Sequence, residues 1–98
     1  MSYFVICTFD LKNASREDYA NAYADLEKLG LSKEISGDGG KKVKLPTTIT
    51  AGEFNGETAS AVRDDLRSRI AKAFSARGFK SEIFLSIGTN WAWGYTTT

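Results

Sequence analysis

The first apolar run of the chain predicts a strand that is covered on both of its faces. Residues 3–9 are almost entirely β-branched or aromatic, and Asp10 ends the run. Apolar side chains alternate between the two faces, with Tyr3, Val5, Cys7 and Phe9 on one and Phe4 and Ile6 on the other. Such a strand belongs in the centre of a sheet, with a cover on each side.

Two later segments repeat their apolar residues at helical spacing. The first follows Ser15, a residue type that caps helix N-termini. It ends at Gly30, because glycine readily adopts the left-handed conformation that terminates a helix. The second lies between Thr58 and Gly78. The apolar positions are Tyr19, Ala22, Tyr23, Leu26 and Leu29 in the first segment and Val62, Leu66, Ile70, Ala73 and Phe74 in the second. Each helix is therefore expected to pack one face on a sheet.

The remaining segments predict further strands. Residues 31–45 favour a loosely specified hairpin, and a strand is expected over residues 47–54 because Pro46 cannot donate to a ladder. The alternation over residues 80–87 is typical of a half-buried strand. Beyond it, Trp91, Trp93 and Tyr95 would share one face of a short C-terminal strand.

The order β-α-β-β-α-β predicts an α+β, ferredoxin-like fold of the split βαβ type, in which two helices cover one face of an antiparallel sheet. The 98 residues are expected to form a single domain, residues 1–98. The other face of the sheet would expose a large apolar patch, which favours a homodimer. The expected interface residues are Phe4, Ile6, Trp91, Trp93 and Tyr95.

Composition excludes several kinds of chemistry. The sequence contains no His, which rules out Ser-His-Asp triads, Cys-His pairs and imidazole metal ligands. The single cysteine, Cys7, favours a reducing compartment and thus a cytoplasmic location. No apolar run approaches the ~18 residues that a membrane span needs, so no membrane association is expected. The net charge of +1 means that any nucleic-acid site must be a local patch.

Asp10 is the candidate for catalysis. A carboxylate at the end of a central strand can bind Mg²⁺ or Mn²⁺ and so activate water for phosphodiester hydrolysis. The same residue type also ends strands simply by capping local N–H groups in a turn. Cys7, in the middle of the strand, is interpreted as a small core residue.

Three groups of side chains are candidates for binding. Lys41, Lys42 and Lys44 could contact phosphates or form a solvated hairpin tip. The second helix carries Asp64 and Asp65 besides its basic residues, and Asp65 with Arg69 forms an i, i+4 pair, which favours a salt-bridged surface. The basic residues of this helix are Arg63, Arg67, Arg69 and Lys72. The tail aromatics could stack bases. Because no Lys or Arg follows Trp91, packing in the dimer interface is the favoured interpretation of the tail.

The sequence also resembles a known family. The resemblance is carried by residues 3–10 with the helix after them, by the strand to Asn55 that contains Gly52-Glu53-Phe54, and by residues 83–94. Together these are similar to the small CRISPR-associated ferredoxin-like proteins of spacer acquisition. They are also similar to the toxin–antitoxin relatives of those proteins, including type V endoribonuclease antitoxins and VapD-like ribonucleases. The following segment, residues 11–14, lacks the second acidic residue that often occurs in the nuclease members.

The resemblance implies a homodimer that acts on RNA or DNA, with Asp10 as a metal ligand near the two-fold axis. The first hypothesis is therefore a nucleic-acid-directed protein, such as a metal-dependent endoribonuclease or a toxin–antitoxin component. The alternative is a non-catalytic homodimeric interaction module whose partner the sequence does not specify. A small-ligand binder at the dimer junction is a third option. Phosphate contacts in the first hypothesis would come from Lys12, Arg16, Lys41, Lys42 and Lys44.

Overall fold

The central strand predicted at the N-terminus organises the whole fold. The computed structural model describes residues 1–98, except for the side chain of Asp38. Its helices and strands are β1 (Ser2–Leu11), α1 (Arg16–Lys28), β2 (Glu34–Ser36), β3 (Lys42–Lys44), β4 (Ile49–Asn55), α2 (Ala59–Ala76) and β5 (Ser81–Gly88). Strand β1 pairs antiparallel with β4 on one side and with β5 on the other. This arrangement is a small α+β, ferredoxin-like fold.

Both helices begin at the caps that the sequence predicts. The Ser15 hydroxyl accepts from the Asp18 N–H at 3.1 Å, and the Asp18 carboxylate accepts from the Ser15 N–H at 3.0 Å. These two bonds form a capping box, which satisfies two backbone donors at the helix end. At α2, the Thr58 hydroxyl accepts from the Ala61 N–H at 3.0 Å. The helix starts are therefore set by local sequence.

The core lies between the two helices and one face of the sheet. Cross-strand neighbours share a face, so the register assigns every second residue of β1 to the helix side. The buried core residues are Tyr3, Val5, Cys7, Phe9, Leu11, Ala22, Leu26, Leu31, Val62, Leu66, Ile70 and Phe74. Neither α1 nor α2 is long and apolar enough to cross a bilayer, and they are the only α-helices of the described chain.

The segment between α1 and β4 differs from a regular edge strand. Ser32 joins it to the main sheet, because this residue exchanges two backbone hydrogen bonds of 2.9 Å with Ala51. The chain then leaves the sheet and β2 pairs with β3 as a separate hairpin. The Leu45 N–H donates to the Lys33 carbonyl at 2.8 Å, and Pro46 has no N–H to continue the ladder. The hairpin therefore projects from the sheet edge.

The prediction of a short C-terminal strand around Trp91–Tyr95 is wrong. Residues 89–98 are all described and form no strand. Asn90 has a positive φ of 53°, a left-handed conformation that turns the chain away from the ladder after β5. The tail crosses the side of the sheet opposite the helices, where the Trp91 ring stacks on Phe4. Aromatic packing has replaced strand pairing in this segment.

Candidate functional site

A groove of about 1180 Å³ lies between the β2–β3 hairpin, the edge of β4 and the C-terminal tail. Three lysines of the hairpin and three aromatic residues of the tail line it, and we call it the lysine–aromatic groove. These six residues are Lys41, Lys42, Lys44, Trp91, Trp93 and Tyr95. The groove thus combines two sets of residues that lie about half the chain apart in sequence.

Two contacts fix the tail as one wall of this groove. The rings of Phe4 and Trp91 are stacked, with centroids 5.5 Å apart and planes inclined by 20°. Farther along, the indole of Trp93 lies against Gly37 in the hairpin. A Cβ at Gly37 would be 3.2 Å from the Trp93 Cη2 atom, which is tighter than an ordinary contact. Gly37 therefore allows the ring to approach the hairpin backbone closely.

The three hairpin lysines supply the positive charge of the groove. All three are exposed, and none lies within 4.0 Å of a described carboxylate. Glu34 and Glu53 also line the groove, so its positive charge is modest. An ammonium that is not held by a carboxylate can contact an anionic ligand without first breaking an ion pair.

The basic residues of α2 differ from the hairpin lysines. Arg63 and Arg67 both reach Asp64, at 3.0 and 3.6 Å, and Arg69 reaches Asp65 at 3.1 Å. The hydrogen bond from Arg63 holds the pKa of the Asp64 carboxyl below its usual range. The prediction of a salt-bridged surface on this helix is confirmed, and α2 is the weaker candidate for binding phosphates.

Asp10 lies outside the groove. It is six positions after Phe4 on the extended strand β1, a distance of about 20 Å. Its carboxylate accepts from the Tyr19 hydroxyl at 3.1 Å, and Glu82 is its cross-strand neighbour. Among the described side chains, no group of three or more potential metal ligands is found. The role of Asp10 as a ligand of Mg²⁺ or Mn²⁺ stays a prediction.

Two further basic candidates lie near Asp10 and away from the groove. The Lys12 N–H donates to the Lys80 carbonyl at 2.9 Å, and both residues line a smaller cavity of about 310 Å³. Arg16 is the first residue of α1. The phosphate contacts predicted from sequence therefore divide into two places, with the hairpin lysines in one and Lys12 and Arg16 in the other.

The helix-free face of the sheet carries an exposed apolar pair. Ile6 is 41% exposed, and Phe84 on the adjacent strand is 64% exposed. The register puts both on this face, since Ile6 pairs with Ser86 and Phe84 pairs with Thr8. Phe84 is absent from the predicted interface residues, although its alternation with Ile83 and Leu85 was the signal that could have found it.

No family model and no curated protein matches this chain. The resemblance to CRISPR-associated and toxin–antitoxin proteins is therefore still an expectation. The side chains that the fold brings together are what indicates a function. In this protein those side chains are the lysines and aromatics of the groove and the apolar pair on the sheet.

Proposed function

We propose that the protein binds nucleic acid through the lysine–aromatic groove. The observation that carries the proposal is that the three hairpin lysines and the three tail aromatics line the same groove. Lysines that contact phosphates supply affinity without regard to sequence. Aromatic rings add stacking with the bases, and together these two features characterise sites that follow a nucleic-acid strand.

Cleavage is a separate and more specific hypothesis than binding. Asp10 lies about 20 Å from the Phe4 end of β1, so a phosphate held beside the lysines does not reach its carboxylate in the same chain. The proposed activity is therefore binding. Incubation of labelled RNA and duplex DNA with Mn²⁺ or with chelator tests whether Asp10 adds a reaction. Metal-dependent cleavage that Asp10→Ala abolishes would establish it.

Replacing the three groove lysines tests the binding proposal. In the triple variant Lys41→Gln, Lys42→Gln, Lys44→Gln, oligonucleotide affinity at low salt is expected to fall at least about ten-fold. The slope of log K against log salt should fall by about 2, since each phosphate contact on a single strand contributes about 0.7. Fluorescence anisotropy with a labelled oligonucleotide measures both quantities.

The matched control removes the same charge from elsewhere on the surface. Lys28, Lys72 and Lys80 are exposed and do not line the groove, and their change to Gln alters the net charge equally. This control should keep near wild-type affinity. Equal losses in the two triple variants would show that only net charge matters, and they would refute a site in the groove.

A second candidate function is self-association through the helix-free face. It is favoured by the adjacent exposed side chains of Ile6 and Phe84 and by the charges around them. Asp10 and Glu82 lie at one end of this face, while the groove lysines lie toward the other end. A two-fold pairing with antiparallel strands would bring the acidic end of each copy toward the basic end of the other.

Phe84→Asp tests self-association directly. A charge in the centre of an apolar interface is expected to convert a dimer into a monomer, because the aspartate would lose its hydration there. The change should leave the monomer folded, since Phe84 is 64% exposed. Light scattering coupled to size exclusion measures the mass, with Ala71→Asp on the exposed side of α2 as control. A wild-type monomer at high micromolar concentration would contradict this candidate.

A further inference from the structure

The tail is built so that its rings remain available to a ligand. Ala92 and Gly94 separate three aromatic residues, and all five residues line the groove. The ring of Trp91 is stacked on Phe4, whereas Trp93 and Tyr95 have no aromatic partner among the described residues. Tyr95 is 51% exposed and Trp93 is 37% exposed. Two rings without partners therefore follow one that is already stacked.

Two rings without partners therefore line the same groove as an existing stack. Phe4 and Trp91 are nearly parallel, and Phe4 belongs to the rigid central strand. The edge of the Trp93 indole lies close to Gly37 of the hairpin, which limits the positions that this ring can take. A ring whose positions are limited before binding loses less conformational freedom when a flat ligand stacks on it. The groove therefore presents aromatic rings on which successive planar groups of a ligand can stack.

We propose that the ligand of the groove is an unpaired nucleic-acid strand whose bases stack on Trp93 and Tyr95 while its phosphates contact the hairpin lysines. This inference rests on the proposed function and specifies its ligand. In a duplex the bases are already stacked on each other and present only their edges to a protein. A single strand can turn its bases onto aromatic rings, and every base has a face that can stack.

The groove is open to solvent and large enough to hold more than one planar group. Its volume of about 1180 Å³ is comparable to the upper limit of the ~300–1,000 Å³ range of typical ligand pockets. Exposed lysines and aromatic rings both line it. A nucleic-acid strand offers a partner to each of them, since its phosphates suit the lysines and its bases suit the rings.

Tryptophan fluorescence provides a direct test of stacking. The protein has two tryptophans, Trp91 and Trp93, and both line the groove, so its intrinsic emission reports on this site. The probes are an RNA strand of about twelve nucleotides, the DNA strand of the same sequence, its duplex and an abasic strand of equal length. The single strands should quench the emission. The duplex and the abasic strand should bind at least about ten-fold more weakly.

A pair of substitutions at Tyr95 separates stacking from other effects. Tyr95→Ala is expected to weaken single-strand binding about ten-fold, the lower range for one base–aromatic stack. Tyr95→Phe keeps the ring and should restore wild-type affinity. Because half of the Tyr95 surface is exposed, neither change should unfold the protein. Circular dichroism of both variants verifies that the fold is kept.

The outcomes distinguish this inference from the proposed function. Equal affinity for single strand, duplex and abasic strand, with the lysine dependence retained, would overturn stacking and leave nucleic-acid binding intact. Absence of binding to all four probes would refute both. Binding of either the RNA or the DNA strand with quenching supports the inference. The strand that binds with the higher affinity shows whether the ligand is RNA or DNA.

Discussion

Gly52→Ala is expected to destabilise the protein by about 3 kcal/mol and to weaken binding at the groove. A Cβ at Gly52 would collide with the carbonyl oxygen of Gly30, which is backbone and cannot swing aside. Gly52 lies in β4 and Gly30 in the connection after α1, so one of the two segments must move. The urea midpoint of unfolding measures the loss of stability.

The same collision is expected to disturb the hairpin. Ser32 follows Gly30 by two residues, and its two hydrogen bonds to Ala51 help to join this segment to the main sheet. Displacing Gly30 would distort those hydrogen bonds. The β2–β3 hairpin, which carries the lysines, would then shift relative to the sheet. Oligonucleotide affinity should therefore fall in Gly52→Ala even under conditions where the protein remains folded.

Gly88→Ala is the matched control because Gly88 is also a strand glycine. A Cβ there would meet no atom within 4 Å. Alanine costs less conformational entropy than glycine in a strand, so stability should be unchanged or rise by up to about 1 kcal/mol. If the two alanine variants unfold at the same urea concentration, the close approach of Gly30 and Gly52 does not limit stability.

Local signals in the sequence were sufficient for most of the fold. The apolar side chains on both faces of residues 3–9 predicted that β1 is central, and β1 does pair with β4 and β5. Ser15 and Thr58 predicted the helix starts because each cap is formed by a side chain within three residues of the backbone group that it satisfies. Interactions of such short range can be inferred from a sequence without knowledge of the tertiary structure.

Contacts between distant segments could not be predicted in this way. The expected C-terminal strand is replaced by a tail that packs on Phe4, almost ninety residues earlier in the chain. The sequence pattern of Trp91, Trp93 and Tyr95 fits a strand face equally well. What decides between the two is the left-handed turn at Asn90 and the presence of Phe4 on the same side of the sheet.

The candidate site was only partly predictable for the same reason. Both halves were identified from the sequence, the lysines as a patch and the tail as a possible stacking platform. The sequence alone does not join them, because the tail has no basic residue of its own. The fold brings the lysines to the aromatics across the groove. A balanced net charge therefore coexists with a local basic site.

Cys7 is expected to react with a thiol reagent at pH 8 at least about 100-fold more slowly in the native protein than in urea. Its side chain is fully buried in β1, and this burial raises its pKa from 9.0 to about 11. The Thr50 hydroxyl, which lies beside Cys7, offsets the shift only in part. Both the small thiolate fraction and the lack of access slow the reaction, which a colorimetric disulfide reagent measures.

The same pKa shift predicts how stability depends on pH. Below pH 9 the thiol is protonated in both the folded and the unfolded chain, so the buried neutral thiol makes its full contribution to the free energy of unfolding. Between pH 9 and about 11 the unfolded chain loses the proton first, and the free energy of unfolding falls by up to about 1.4 kcal/mol per pH unit. The reference is Cys7→Ala, because it removes only this thiol. The difference between the two pH profiles should grow above pH 9. A constant difference, or native labelling as fast as labelling in urea, would show that the thiol is accessible and that β1 is not sealed by the helices.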